Sequence, residues 1–147
     1  MPDAFTVEVH GRADGFAQTI TTGAHRLQSD EPKSAGGTDT GPDPYALLLA
    51  ALGSCTSMTI AMVARRRKWP LEAVTVRLRH SRVHEKDCEG CEEAPRRLER
   101  IDREVVLTGP LDDQQRASLL AIAEKCPVHR TLTANVAIET RLAASVS

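Results

Sequence analysis

The residues able to do chemistry are four cysteines and the histidines near them. Cys55 and Cys126 each sit in an apolar stretch, whereas Cys88 and Cys91 form a Cys-x-x-Cys in a polar one. His80, His84 and Cys88 follow one another at steps of four, and His129 lies three residues after Cys126. Two chemistries suit these types. A thiolate attacks an electrophile, and a second thiol resolves the product as a disulfide. Alternatively, zinc takes four Cys or His ligands in a tetrahedron, and a Cys-x-x-Cys turn supplies two of them. The metal set would then be His80, His84, Cys88 and Cys91. Its spacing is not that of a standard finger, and on a straight strand His80 and His84 stand about 13 Å apart. No βαβ pattern of the thioredoxin kind surrounds the Cys-x-x-Cys.

A single cysteine on an apolar helix stripe is an ordinary small core residue. Two of them, flanked by Ala50, Ala51, Gly53, Ala121 and Ala123, suit a close helix crossing where the sulfurs could meet. Reactivity also needs something to stabilise thiolate. Cys55 lies beyond the first turn of its helix. Cys126 reads as the end of another, the wrong end for negative charge. The help must come from cations that the fold brings in. The candidates are Arg12, Arg26, Arg130 and a protonated His129.

The elements that position these groups follow from the pattern. Residues 41–68 read as one long helix, with Asp43 as N-cap, Pro44 at the first position, and Arg65 to Lys68 at the negative end. Leu47, Leu48, Ala51, Leu52, Cys55, Thr59 and Met62 recur along one side, which is the expected buried face. Alternation predicts strands at Phe5–His10, Phe16–Thr22 and His25–Ser29. Between them and the helix, residues 30–43 hold four acids, Asp30, Glu31, Asp39 and Asp43, in a loop. Val74, Val76, Leu78 and His80 mark the inward phase of a strand that pairs with Leu98–Thr108 across a long polar tip. A helix capped by Asp112 or Asp113 runs to Lys125. Pro127 interrupts it, with a restart over Val128–Leu132. Asn135–Leu142 reads as a closing strand. This mixture of hairpins and two helices is α+β.

The chain of 147 residues is expected to form a single domain over 1–147. With two Phe, one Trp and one Tyr, its core must be aliphatic. A net charge of −1 argues against nucleic-acid binding. The stretch Tyr45–Val63 has the length of a membrane span. It carries Ser54, Cys55, Thr56, Ser57 and Thr59, so a core helix of a soluble protein is expected, with no membrane partner. Without a signal-peptide pattern, a cytoplasmic setting with reduced thiols is expected. Phosphate-loop, Gly-x-Ser-x-Gly and His-Glu-x-x-His motifs are all lacking.

GGTDTGPDPYALLLAALGSCTSMT together with AEKCPVHRTL resembles the OsmC/Ohr family, from about Val7 to Leu142. Tyr45, the Thr-Ser-Met-Thr after Cys55 and the Cys-Pro-Val-His-Arg-Thr-Leu block are most similar to a less characterised OsmC-like branch. The resemblance implies an α+β, OsmC-like fold: antiparallel sheets around two central helices in an interwoven homodimer. It further implies a stress-response peroxidase that reduces organic hydroperoxides without a cofactor. Cys55 would be the peroxidatic thiolate and Cys126 the resolving thiol. A dithiol such as a lipoylated protein would be the reductant. Arg12 is the candidate for the arginine that organises the thiolate, and Tyr45 and His129 are candidates for the pocket. The family's glutamate that pairs with this arginine would fall at Tyr45, whose hydroxyl offers a hydrogen bond instead of a salt bridge. That departure keeps a second reading open, a non-catalytic ligand-binding or redox-sensing protein. Zinc at the Cys88/Cys91 loop is the third.

Overall fold

The computed structural model describes residues 5–84 and 97–144. These residues gather into two compact units. One runs to Ala50 and takes up again from His80 to Glu99, and the other holds Ala51–Arg79 and the chain from Arg100 onward. A helix and both strands of a hairpin run from one unit into the other, so neither unit is a contiguous sequence segment.

The first unit begins with three antiparallel strands in the order β1 (Glu8–Gly11), β2 (Gln18–Thr22) and β3 (His25–Ser29). Val9, Ile20 and Leu27 lie opposite one another across the ladder. The first two strands begin later than the alternation predicts, and Phe16 is exposed ahead of β2. The loop after β3 is folded around Asp30. This buried carboxylate accepts the backbone N–H groups of Glu31, Thr38 and Thr40 and the hydroxyls of Thr38 and Thr40. Gly37 lets this loop close, because a Cβ there would collide with the Glu31 carbonyl. Ser29 adds a 2.8 Å bond to the Pro42 carbonyl.

Helix α1 spans Pro44–Arg66. Asp43 caps it, its carboxylate accepting the Ala46 N–H at 2.7 Å, and Pro44 takes the first position, where a missing donor costs nothing. The helix is long and apolar enough to cross a membrane by length and composition. Its buried residues are Leu52, Gly53, Thr56, Ile60 and Ala64. Of the expected face only Leu52 is among them. The row from Leu52 to Ala64 at steps of four is buried, while Met58 and Met62 are exposed. Counting large apolar side chains misplaced the face because the true one uses a threonine, a glycine and an alanine.

Strands β4 (Ala73–His84) and β5 (Arg97–Thr108) form a two-stranded antiparallel ladder, across which the side chains of Arg77 and Glu104 and of His80 and Glu99 are bonded. The inward phase of β4 is Val74, Val76, Leu78 and His80, as the pattern predicts. Gly109, at φ +134°, turns the chain where a side chain would meet the Pro70 carbonyl.

Helix α2 (Asp113–Ala123) starts with a capping box: Asp112 accepts the Gln115 N–H, and the Gln115 side chain accepts the Asp112 N–H. Helix α3 (Pro127–Thr133) follows after a break. In the second unit Ile60, Ala64, Leu111, Leu119 and Ala123 form the core, with Trp69, Val74, Val105 and Leu107 against it.

One expected element is not formed. Residues 135–142 carry no strand, and Ile138 and Leu142 are 85% and 100% exposed. Alternation marks a segment that can lie on a sheet, but a strand also needs a neighbour to complete its ladder. Among the described residues none supplies one.

Candidate thiol site

Cys126 is placed by the break between α2 and α3. Pro127 cannot continue α2 but suits the first position of a new helix, so Cys126 becomes the N-cap of α3. Its sulfur accepts the His129 N–H at 3.3 Å. This overturns the expectation that Cys126 ends a helix at the negative pole. The thiol faces a backbone donor instead.

Cys126 is fully buried. Around it stand three side chains from two other elements. Cys55 of α1 is near enough for its thiol to lower that of Cys126. Thr56, one residue on and also fully buried, holds its hydroxyl 3.8 Å from the Cys126 sulfur and 2.7 Å from the Leu52 carbonyl. Arg103 of β5 donates from Nη1 to the Thr56 hydroxyl and from Nη2 to His129 Nδ1, each at 3.0 Å. Arginine has only donors to offer, so His129 Nδ1 is the acceptor and the ring proton lies on Nε2. That nitrogen stands 3.2 Å from Glu124 Oε2. His129 thus stands with its backbone N–H on the Cys126 sulfur and its Nδ1 turned to Arg103.

Burial pushes the Cys126 thiol up. The His129 amide, the Cys55 and Thr56 side chains, and the Arg103 charge together outweigh it, and the thiol ends below its ordinary value. Both cysteines are free thiols. Cys55 is half-buried and lines a hollow of about 540 Å³ with Ala51, Met58, Thr59, Met62 and Pro127, and Lys125 stands at the same hollow. Apart from Lys125 its walls are mostly apolar. The arrangement joins two neighbouring thiol segments, an arginine that ties them together and a largely apolar hollow.

Arg103 was not foreseen. The signal was present: Ile101, Arg103, Val105 and Leu107 share the inward phase of β5, and an arginine in that phase must have a polar partner inside. Of the cations that were named, Arg12 forms an exposed fork with Asp14 at 3.2 Å. Arg26 lies on β3, and Arg130 on α3.

Tyr45 takes part in a separate cluster within the first unit. Its hydroxyl accepts from Arg82 Nη2 at 2.8 Å, and its ring stacks on His80 with centroids 4.6 Å apart. Arg82 and His80 both hold Glu99, at 3.1 and 2.6 Å. Tyr45 therefore does bond an arginine, but Arg82 rather than Arg12. His80 spends a ring nitrogen on Glu99. His84 ends β4, and Cys88 and Cys91 lie outside the described residues. Among the described residues no three Cys, His or acidic groups gather into a metal site.

A family model described as OsmC-like protein matches residues 37–141. The chain belongs to the OsmC-like family. The solved structures agree on the fold. An OsmC-like protein from Mycoplasma pneumoniae superposes with a TM-score of 0.69 at 18% identity, over 90% of this chain and 89% of that one. An organic hydroperoxide resistance protein OsmC from Legionella pneumophila gives 0.63 at 23% identity, over 90% of each chain. A Vibrio cholerae protein described as a putative organic hydroperoxide resistance protein, with captopril in one active site, gives 0.62 at 22%, over 92% and 89%. No curated protein matches the sequence. The matched region of this OsmC-like chain contains both cysteine blocks, Arg103 and His129.

Proposed function

We propose that this OsmC-like protein is a thiol peroxidase that reduces organic hydroperoxides, with Cys55 as the attacking sulfur and Cys126 as the resolving one. The observation that carries the reading is that Cys55 borders a largely apolar hollow while the next residue, Thr56, stands 3.8 Å from the buried Cys126 sulfur. Cys55 borders that hollow and Cys126 does not, so the substrate meets Cys55 first. The cavity accepts an alkyl or aryl body, while a small hydrophilic peroxide gains little there. Attack on the outer peroxide oxygen gives the alcohol and a sulfenic acid at Cys55. Condensation with Cys126 then gives a disulfide and water. A dithiol of the lipoyl type returns both sulfurs to thiols by exchange.

The relatives described as organic hydroperoxide resistance proteins support the same reading. A thiol pair that must be returned from a disulfide after each turnover needs a reducing setting such as the cytoplasm. Exposed apolar residues on β1 and β3, and beyond α3, fit a homodimer in which a second copy covers them. The test is consumption of cumene hydroperoxide with a dithiol reductant. Steady turnover that is lost in Cys55→Ser supports the reading. No turnover by the wild type, or turnover that survives in Cys55→Ser, overturns it.

A further inference from the structure

The outer side of α1 carries sulfur that the peroxidase reading leaves unused. Leu52, Thr56, Ile60 and Ala64 form the buried row of the helix. Met58 and Met62 each stand two residues beyond a member of that row, about 200° round the helix, so they point away from the core. Met58 is 71% exposed and Met62 42%. Both line the hollow of about 540 Å³ that Cys55 borders. They follow Cys55 by three and seven residues, the spacing that puts groups on one helix face. The rise along the axis is about 4.5 Å to Met58 and about 10.5 Å to Met62. An apolar molecule seated against Cys55 thus lies along two thioethers. Leucine would give a similar apolar wall without a group that peroxides oxidise.

We propose that Met58 and Met62 form a modification site: an organic hydroperoxide held in the hollow oxidises their thioethers to sulfoxides once Cys55 is spent, and the change weakens further binding. The inference rests on the reading that this hollow takes an apolar hydroperoxide, and it adds a second acceptor for the same oxygen. The thioether sulfur attacks the outer peroxide oxygen. An S–O bond forms and the O–O bond breaks. The leaving alkoxide takes the proton that came with the transferred oxygen, so the products are sulfoxide and alcohol. Sulfur is oxidised, the peroxide is reduced, and no other reactant is needed. A thioether has no ionised form and is a weaker nucleophile than a thiolate, so Cys55 reacts first while it is reduced. With Cys55 held as a disulfide, the bound peroxide meets Met58 and Met62 instead. Each sulfoxide puts a polar S=O into an apolar wall, which then holds an alkyl or aryl body less well. The hollow thereby turns substrate away when hydroperoxide outruns reductant. Reversal belongs to a methionine sulfoxide reductase rather than to the dithiol that reopens the disulfide.

The test is peptide mapping by mass spectrometry of the full chain as Cys55→Ser, in which thiol turnover does not consume the reagent, mixed with N-acetylmethionine amide as a free thioether. With cumene hydroperoxide, Met58 and Met62 should be oxidised at least about 10-fold faster than the free thioether, because bound reagent is held beside them. With hydrogen peroxide, which gains little from an apolar hollow, the ratio should fall close to unity. A ratio no higher with cumene hydroperoxide than with hydrogen peroxide overturns the proposal. Wild-type protein is next oxidised, returned to thiols with a dithiol and assayed. Its KM for cumene hydroperoxide should rise about three-fold or more. Met58→Leu/Met62→Leu, compared with itself before and after the same treatment, should keep its KM. A lower kcat at unchanged KM in the treated wild type marks over-oxidised Cys55 and overturns the proposal. The two readings fail separately. Selective oxidation of Met58 and Met62 in a protein without turnover leaves the modification site and removes the peroxidase reading. Turnover without selective oxidation does the reverse.

Discussion

Arg103 Nη1 lies 3.0 Å from the hydroxyl oxygen of Thr56, the residue that follows Cys55 in α1. Through this bond a strand cation is tied to the helix that carries Cys55. Its other Nη atom holds His129, one turn beyond Cys126, so one side chain joins both cysteine segments.

Removing that charge should slow the first oxidation. Arg103→Met is expected to lower kcat/KM for cumene hydroperoxide about 10- to 100-fold at neutral pH, because less of the pair is ionised. The loss should shrink as pH rises, since the thiols then ionise without help. A pH-rate profile of the variant beside the wild type measures both effects.

Thr56→Val keeps the volume and removes the hydroxyl. The mostly buried Arg103 Nη1 then loses its acceptor, and the Leu52 carbonyl loses the hydroxyl it accepts from. A cost of ~1–3 kcal/mol in unfolding free energy is expected from the orphaned donor. Denaturant unfolding measures it. Thr56→Ser, which retains the oxygen, should cost clearly less.

Asp30 closes the loop that leads into α1. The Thr38 hydroxyl, against the opposing effect of burial, and then Thr40 and the backbone N–H groups of Thr40 and Glu31 hold its carboxyl well below the usual range. Such a group contributes stability above the ordinary aspartate pKa, and this is lost only as pH falls through its own, lower value. Asp30→Asn turns amide donors toward donors. Its melting temperature at neutral pH is expected to be lower by about 5 °C. The gap from the wild type should narrow on acidification, which thermal melts across pH will measure.

Glu99 is held below the ordinary glutamate value first by the hydrogen bond from His80 and then by Arg82. His80→Phe keeps a ring to stack on Tyr45 but deletes the 2.6 Å bond. The Glu99 carboxyl should titrate at higher pH in this variant, as read by side-chain NMR. An unmoved titration would assign the effect to Arg82 alone.

Cys55 and Cys126 stood out in the sequence as thiols in small-residue helical settings, and their pairing followed from the family resemblance, since on pattern alone each is an ordinary core residue. The strands of the hairpin were legible too, since Val74 to His80 alternate without fault. The charge partner was harder to see. Arginines are common and mostly solvated, and only the phase of β5 distinguishes Arg103 from Arg100 and Glu104 beside it. The α1 face was misjudged because burial there favours small residues at close contact: a Cβ on Gly53 would sit 2.8 Å from Leu78 Cδ1. The direction of help at Cys126 was misjudged for a local reason. Pro127 made the residue before it the start of a new helix, not the end of the old one. The Asn135–Leu142 pattern overreached, since alternation names a face and not a neighbour.

The central claim is that Cys55 and Cys126 are one redox unit. Reduced protein treated with a stoichiometric organic hydroperoxide, quenched by alkylation and mapped by mass spectrometry, tests it most directly. A disulfide between the Cys55 and Cys126 peptides should appear, and Cys126→Ser should instead carry Cys55 on to sulfinic acid. Both thiols remaining alkylatable after peroxide exposure, or a disulfide confined to Cys88 and Cys91, would contradict the account.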